Sequence, residues 1–195
     1  MRRGDPATVA GLLGLDGALL EGHFELLSAL HADRFVAFSR IAREEGALEL
    51  VAGWLHPSLA PTTPSAVVAP STAGVGLGWT LARKLGVPLY LADLDDRGRA
   101  RGLIGEPDVA GGRMLLVNDI VTTGQGLQAL ADTVRARDAQ VAGATWFASR
   151  STQDFAELLR APVFDVCGLE LAAWAQGDCP HCAASEPLQL GIDLN

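Results

Sequence analysis

The hydrophobic pattern from about residue 50 onward alternates short apolar runs with segments of helical periodicity. The runs "SAVVAPS", "VPLYLAD", "RMLLVNDIV", "AQVAGATWFAS" and "PVFDVCGLEL" predict strands, while "GVGLGWTLARKLG", "GQGLQALADTVRARD" and "TQDFAELLRA" predict helices. Runs such as "VVAP" and "MLLVND" lack polar alternation, as expected of strands that helices cover on both faces. The pattern therefore predicts an α/β fold with a central, mostly parallel sheet of about five strands and helices on both faces.

The two ends of the chain lie outside this alternation. A length of 195 residues fits one domain. Within it we expect a small N-terminal hood over residues 1–50, a core over residues 51–165, and a C-terminal strand and tail over residues 166–195. The segment 95–112 is rich in glycine and charge, which predicts a mobile loop above the strand ends.

Charge and hydropathy exclude two classes of partner. The formal net charge is -8 and no Lys/Arg run could follow a phosphate backbone, so nucleic acid is not expected as a partner. No apolar stretch is long enough and free enough of charge to cross a membrane. Asp5 and Asp16 interrupt the N-terminal apolar patch, which predicts a helix in a cytoplasmic protein rather than a signal peptide.

Three cysteines are too few for a disulfide framework. Two of them form "CPHC", whose spacing occurs in redox and zinc sites. A zinc site needs two more ligands, and the available side chains are Cys167, His23, His31, His56 and His181. We expect no metal site, with a tail that carries two thiols as the simpler interpretation and structural roles for His23 and His31.

The stretch "MLLVNDIVTTGQG", residues 114–126, joins a buried strand to a helix through small polar residues. Helix N-termini present unpaired backbone N–H groups and the positive end of the helix dipole, which bind phosphate without a lysine. Thr122 and Thr123 add hydroxyl groups, and Gly124 and Gly126 allow close approach of the backbone. The stretch is suited to a sugar phosphate; the alternative is a plain strand-to-helix turn with threonine as the N-cap.

The same stretch resembles the motif with which type I phosphoribosyltransferases bind 5-phosphoribosyl-1-pyrophosphate (PRPP). Further segments resemble the orotate branch of that family: "GHFELLSALHADRF" its N-terminal element, "VVAPSTAGVGLGWTLARKLGVPLYLAD" its pyrophosphate loop, and "FASR" the strand end whose arginine meets orotate. The tail "CPHCAASEPLQ" is similar to the ending of some bacterial members. The resemblance implies transfer of a phosphoribosyl group from PRPP to an orotate-like base, with Mg²⁺ bound through PRPP. It also implies a homodimeric enzyme of pyrimidine nucleotide metabolism.

The resemblance also implies a role for particular residues. Asp119 would hold the ribose hydroxyls and act in catalysis together with loop arginines Arg99 and Arg101. Arg150, Ser28 and Phe35 would bind the base. The set that would bind PRPP comprises Ser71, Thr72, Ala73 and Gly74 and the continuous stretch Asn118, Asp119, Ile120, Val121, Thr122, Thr123, Gly124, Gln125 and Gly126.

Several positions depart from the family's pattern. Asn118 replaces the first acid of the usual pair, and Leu94 stands where a pyrophosphate-binding cation is common. Leu27 and Ala29 replace a polar residue and a glycine of the N-terminal element. The loop carries arginines but no lysine or histidine. These departures leave two alternatives open: a binding protein for PRPP or a nucleotide without turnover, or a phosphoribosyltransferase with a different acceptor.

Overall fold

The structure, a computed structural model, describes residues 4–15, 17–71, 74–95, 100–150, 153–169 and 171–191. Its helices are α1 (Pro6–Leu13), α2 (Phe38–Arg43), α3 (Ala47–Leu59), α4 (Val75–Leu85), α5 (Gln125–Arg135), α6 (Phe155–Leu159) and α7 (Pro180–Ala183). Its strands are β1 (Leu19–Glu25), β2 (His31–Val36), β3 (Ala66–Pro70), β4 (Leu89–Leu94), β5 (Ala100–Leu103), β6 (Arg113–Val117), β7 (Ile120–Val121), β8 (Gln140–Ser149), β9 (Val163–Gly168) and β10 (Gln189–Leu190). Short 3₁₀ turns lie at Ala60–Thr62 and Gln176–Asp178.

The central sheet has the strand order β5-β4-β3-β6-β8-β7, and β9 pairs with the other side of β8. Every pairing among them is parallel except that of β4 with β5. The predicted α/β class and mostly parallel sheet are confirmed. The described sheet contains seven strands rather than about five, because β7 and β5 are short additions to the five predicted strands.

Helices cover both faces of the sheet. Val67 and Leu115 point to one face, where they pack with Leu55 of α3 and Leu81 of α4. Their chain neighbours point to the other face and pack with α5 and α6; the residues there include Val68, Met114, Leu116, Leu130, Trp146 and Leu159. Because each face is buried, an alternating polar pattern is absent from these strands, which explains the continuous apolar runs in the sequence.

Residues 100–103 correct the prediction for the segment 95–112. We expected a mobile loop throughout, but these residues form β5, an antiparallel edge strand in which Asp93 pairs with Gly102. Leu103 is buried in the cluster that α5 covers, which holds the strand in place despite the polar composition around it. Residues 96–99, the rest of the loop before β5, lie outside the described residues.

A second, three-stranded sheet with the order β10-β1-β2 forms a unit with the tail residues 171–191, and we keep the name hood for this unit. It includes only the β1–β2 part of the range 1–50, because Val9 of α1 and Ile41 of α2 pack into the main core instead. Its core contains Phe24, Leu26, Ala32 and Phe35, with the rings of Phe24 and Phe35 5.8 Å apart. The tail joins β2 through paired backbone hydrogen bonds between His31 and Trp174, each of 2.8 Å. Residues distant in sequence thus build the hood together.

The turn between β1 and β2 contains a residue in an unfavourable conformation. Ala29 has φ of 58°, in the left-handed region that costs a residue with a Cβ about 1–2 kcal/mol. Its N–H donates to the carbonyl of Leu26 at 2.8 Å, so the turn holds this conformation. Glycine, which the resembled family often has here, would adopt it without that penalty.

We therefore expect Ala29→Gly to raise the free energy of unfolding by about 0.5–1 kcal/mol, measured by urea denaturation. The control is Ala60→Gly, because Ala60 is also exposed but has helical φ of -53°, where glycine should destabilise by a similar amount. An unchanged or lowered stability for Ala29→Gly would contradict the expectation.

Candidate functional site

Two strand ends of the central sheet meet at one edge. Because β3 pairs with β6 in parallel, the two strands end at the same edge of the sheet, β3 at Pro70 and β6 at Val117. The loops that follow come into near contact, since a Cβ placed on Gly74 would lie 3.4 Å from the Cα of Asn118. The predicted pyrophosphate loop and the predicted PRPP loop are therefore neighbours, although Thr72 and Ala73 lie outside the described residues.

Asn118 and Asp119 are held by backbone hydrogen bonds to β8. The N–H of Asn118 donates to the carbonyl of Thr145 at 3.0 Å, and the carbonyl of Asp119 accepts from the N–H of Phe147 at 2.9 Å. The Asn118 side-chain oxygen accepts the N–H of Asp119 at 3.0 Å. The asparagine that replaces an acid thus orders the turn before Asp119, and its NH₂ group is a hydrogen-bond donor where an acid would only accept.

Asp119 is the charged centre of this edge. Its side chain is only 7% exposed, and burial raises the pKa of its carboxyl to about 6, with backbone N–H groups of Ile120 and of Asp119 itself acting in the opposite direction. The carboxylate is consequently ionised at neutral pH but poorly solvated. A buried anion in this state favours a ligand that brings hydroxyl donors or positive charge.

The predicted phosphate loop leads into α5 through a residue in the left-handed conformation. Gly124 is the N-cap, with φ of 77°, and a Cβ there would lie 2.8 Å from the side chains of Phe155 and Leu158. Both its conformation and its surroundings therefore require glycine. The alternative of a threonine N-cap is wrong, because α5 has no side-chain cap and Thr123 only accepts the N–H of Gln125 at a long 3.5 Å.

Arg150, at the end of β8, connects the sheet to the hood. Its N–H donates to the carbonyl of Val121 at 2.8 Å. Its guanidinium donates to the carbonyl of Arg34 on β2 at 2.6 Å and to that of Ala172 in the tail at 3.0 Å. Burial lowers the pKa of Arg150, and the carboxylate of Asp33 partly opposes this. Sequence reasoning missed both carbonyl partners, because a backbone carbonyl gives no residue-specific signal.

Five buried side-chain polar atoms of the described residues have no hydrogen-bond partner, and two of them belong to residues predicted to bind the base. Among the described residues, the Nε of Arg150 and the Oγ of Ser28 are buried and have no hydrogen-bond partner. Such atoms are uncommon in folded proteins and are often satisfied by a ligand. Phe35, in contrast, is 8% exposed and packs against Phe24, so it supports the hood, and its contact with a base stays a prediction.

The predicted pyrophosphate-binding residues are more dispersed. Ser71 is exposed, and its N–H donates to the carbonyl of Ala92 at 3.0 Å. Leu94, which stands where a cation is common in the resembled family, packs against the apolar cluster under α5. Arg101 is exposed on β5 and lines a surface groove with Asp132, Thr133 and Arg137, away from the N-terminus of α5. Arg99 lies outside the described residues.

Comparison with known proteins identifies a family. The Phosphoribosyl transferase domain matches residues 39–158, which is more than half of the chain. The orotate phosphoribosyltransferase of Pelotomaculum thermopropionicum is 30% identical over 173 residues, covering 88% of this chain and 88% of that protein. The resemblance found in the sequence is confirmed by both matches.

Solved structures share the fold. The crystal structure of orotate phosphoribosyltransferase from Aeropyrum pernix matches with a TM-score of 0.69 at 24% identity, covering 83% of this chain and 94% of that one. That of adenine phosphoribosyltransferase from Thermoanaerobacter pseudethanolicus matches with a TM-score of 0.61 at 16% identity, covering 70% and 88%. Proteins named for different bases thus share this architecture, so the fold alone does not select the acceptor.

The buried carboxyl of Asp119 predicts a pH-dependent stability. Its pKa rises from 3.8 to about 6 on folding, so between those values the unfolded chain releases the proton first and stability falls as the pH rises. Above pH 6 the penalty is about 3 kcal/mol. Asp119→Asn should therefore be more stable than the wild type by about 2–3 kcal/mol at pH 8, with the difference vanishing below about pH 4.

Urea denaturation of both proteins across this pH range measures the difference. The control is Asp138→Asn, which removes an exposed carboxylate from a left-handed turn position that asparagine also tolerates. Equal stability of wild type and Asp119→Asn at pH 8 would contradict the burial argument.

Proposed function

The chain belongs to the type I phosphoribosyltransferase family, and on that premise we propose that it transfers a phosphoribosyl group from PRPP to orotate or a close relative of it, releasing pyrophosphate. The carrying observation is the edge where the loop that begins α5, the buried Asp119 and the loop at Gly74 meet. We place this activity in cytoplasmic pyrimidine nucleotide synthesis. No helix in the described part of the chain has the length and apolar character of a membrane span.

The 5-phosphate of PRPP would bind at the N-terminus of α5. The first N–H groups of a helix have no partner within it, and the helix dipole adds partial positive charge there. Thr122 and Thr123, both partly exposed, add hydroxyl donors. Gly124 lets the chain turn sharply enough for Gln125 and Gly126 to present their N–H groups. This arrangement holds a dianion without a lysine.

The ribose would lie against Asp119. A carboxylate that is already desolvated accepts hydroxyl hydrogen bonds more strongly than one in water, and it stabilises positive charge that develops on the sugar ring. The short strand β7, Ile120 and Val121, pairs with Ala148 and Ser149 and so fixes the direction of this loop. Position and charge, rather than proton transfer by the protein, are the main contributions expected of these residues.

The pyrophosphate would lie along residues 71–74. Mg²⁺ enters as part of the PRPP substrate and neutralises the charge of the leaving group. Arg101 faces away from the N-terminus of α5 of its own chain. We therefore propose a homodimer in which Arg99 and Arg101 serve the partner's site, where guanidinium groups would bind the departing pyrophosphate.

The base would lie between Arg150 and the hood. Two of the five N–H donors of Arg150 are used by backbone carbonyls, and its Nε–H is buried without a partner. A planar carboxylate such as that of orotate would accept hydrogen bonds from the remaining N–H groups of the Arg150 guanidinium in a charge-assisted pair. The unpartnered Ser28 hydroxyl is a second candidate donor to the base.

Two observations favour a second candidate function, the binding of PRPP or a nucleotide without turnover. Asn118 lacks the negative charge of the acid it replaces, and Leu94 is committed to apolar packing. Loss of one preorganised charge contact removes on the order of 3 kcal/mol of transition-state stabilisation, so two losses would reduce turnover greatly while leaving ground-state binding. A different acceptor base is the remaining alternative.

Calorimetric titration of PRPP with Mg²⁺, followed by a pyrophosphate-release assay with orotate and a panel of purine and pyrimidine bases, tests these functions. We expect micromolar binding and release with orotate. Asp119→Asn should weaken PRPP binding at least about tenfold because it removes the ribose acceptor charge, while the exposed Asp138→Asn should not.

Release with another base instead of orotate would identify that acceptor and refute the orotate assignment. Binding without release for any base would refute the transferase proposal in favour of the binding protein. Unchanged PRPP affinity in Asp119→Asn would refute the placement of the ribose.

Arg150→Lys tests the base site separately. Lysine keeps the charge but lacks the planar fork, so we expect the KM for orotate to rise at least about tenfold with PRPP affinity within about twofold of the wild type. The control is Arg113→Lys, because Arg113 also donates to a backbone carbonyl, that of Thr62 at 2.9 Å, but lies at the opposite edge of the sheet. An equal rise in both variants would remove Arg150 from the base site.

A further inference from the structure

Four metal-binding side chains converge inside the hood. The ligand atoms of His23, His31, Cys179 and Cys182 all lie within 4.8 Å of one another. His23, His31 and Cys179 are buried at 3%, 4% and 2% exposure, and Cys182 is partly buried. Their ligand atoms contact one another, at 2.9 to 3.6 Å in four of the pairs.

The hood's strands and tail create this cluster. His23 and His31 lie on the neighbouring antiparallel strands β1 and β2. Cys179 is the N-cap of the short helix α7, and Cys182 lies within that helix. Cys182 and His31 are 151 positions apart in the chain. The pairing of β10 with Phe24 and Glu25 brings the tail back to β1 and places the "CPHC" turn over the two histidines.

Four of the distances between ligand atoms are close to those expected around a single tetrahedral ion. For ligands about 2.05 Å (N) and 2.3 Å (S) from Zn²⁺ at tetrahedral angles, nitrogen and sulfur lie about 3.6 Å apart and two nitrogens about 3.3 Å apart. The Sγ of Cys179 and of Cys182 lie 3.5 and 3.6 Å from the Nε2 of His23. The Sγ of Cys182 is 3.2 Å from the Nδ1 of His31, and the two nitrogens are 2.9 Å apart.

The surroundings prepare His23 as a ligand. Its Nδ1 lies 3.0 Å from the backbone carbonyl of Glu186, so the hydrogen-bonded tautomer carries its proton there and leaves the Nε2 lone pair directed at the cluster. Such an outer hydrogen bond is the usual companion of a metal-bound histidine. His181 stacks on the His23 ring at 5.5 Å while its own Nδ1 is engaged with the Glu186 carboxylate at 2.7 Å.

We propose that His23, His31, Cys179 and Cys182 bind one Zn²⁺ ion that joins the tail to the β1–β2 hairpin. Two thiolates and two neutral imidazoles balance the charge of the ion, and this donor set with tetrahedral spacing selects zinc over harder cations. Four protein ligands leave no open position, so the site is structural. It requires no catalytic activity of the protein.

A redox disulfide explains the cluster less well. A Cys179–Cys182 bond would bring the two sulfurs to about 2.05 Å and turn them toward each other. The Nδ1–H of His31 could still donate to the Nε2 of His23 at 2.9 Å, but the disulfide would take both sulfurs away from the contacts of 3.2 to 3.6 Å that they make with these two nitrogens. Zinc satisfies all four groups at once.

The ion would also support the candidate base site. Arg150 donates to Arg34, three residues after His31, and to Ala172, near the start of the tail. The zinc ligands hold the same two segments together. Loss of zinc should therefore loosen both carbonyl partners of Arg150 while leaving the loop at the N-terminus of α5 in place.

Metal analysis of the untagged full chain tests the proposal. We expect about one zinc per chain in the wild type and less than about a tenth of that in Cys182→Ser. Cys167→Ser and His56→Ala are matched controls that remove a cysteine and a histidine outside the cluster, and both should keep the ion. Zinc retention by Cys182→Ser, or equal loss in the controls, would overturn the assignment.

Two measurements on the wild type keep the proposal testable if Cys182→Ser fails to fold. Stripping the ion with a chelator should lower the melting temperature by at least about 5 °C, and zinc should restore it. Cobalt added to the reduced, stripped protein should give the absorption bands of tetrahedral, thiolate-bound Co²⁺. The proposal would be overturned by a reduced protein that takes up neither metal. It would also be overturned by a protein that is purified with a Cys179–Cys182 disulfide and takes up no metal once this bond has been reduced.

Discussion

Parallel pairing of β3, β6 and β8 is the constraint on which the rest of the structure depends. Parallel strands covered by helices on both faces all end at the same edge, so their following loops have to meet there. The near contact of Gly74 with Asn118 is a direct consequence of this geometry. The phosphorylated sugar that we propose as a ligand would then need only a left-handed glycine and a helix N-terminus at one of these loops.

The same edge contains a conflict between stability and ligand binding. Asp119 is buried enough for its pKa to rise to about 6, which means that folding desolvates a carboxylate that water would otherwise stabilise. A protein tolerates this where the charge serves a ligand, and the apolar packing under α5 and α3 supplies the compensating stability. Asn118 contributes by ordering the backbone N–H of Asp119 rather than by adding a second charge.

The hood depends on contacts between the two ends of the chain. Arg150 donates to the carbonyls of Arg34 and Ala172, which come from the hairpin and the tail respectively. The cluster of two histidines and two cysteines joins the same two segments a short distance away. The position of the Arg150 guanidinium therefore depends on how the tail is held. This links the tail to the candidate site, although the tail lies outside the repeating pattern of strands and helices.

The sequence by itself determined the α/β class, the strands and helices of the core, and the position of the loop at residues 118–126 that begins α5, which we predicted to bind phosphate. These features follow from local periodicity and from a motif whose residues are neighbours in the chain. Such local patterns can be recognised in the sequence without knowledge of the fold. The identity of the family rests on the same continuous stretches. The edge strand β5 was missed because Leu103, which anchors it, is surrounded by polar and glycine residues.

Only the tertiary structure decided the features that are built from residues distant in the chain. The spacing of "CPHC" occurs in redox and zinc sites, yet from the sequence we expected no metal site; only the folding of the tail onto β1 and β2 brought His23 and His31 to the two cysteines. Likewise the raised pKa of Asp119 and the carbonyl partners of Arg150 come from burial and from backbone atoms. Neither burial nor the position of a backbone carbonyl is encoded in a short pattern, because both arise when the packed elements meet.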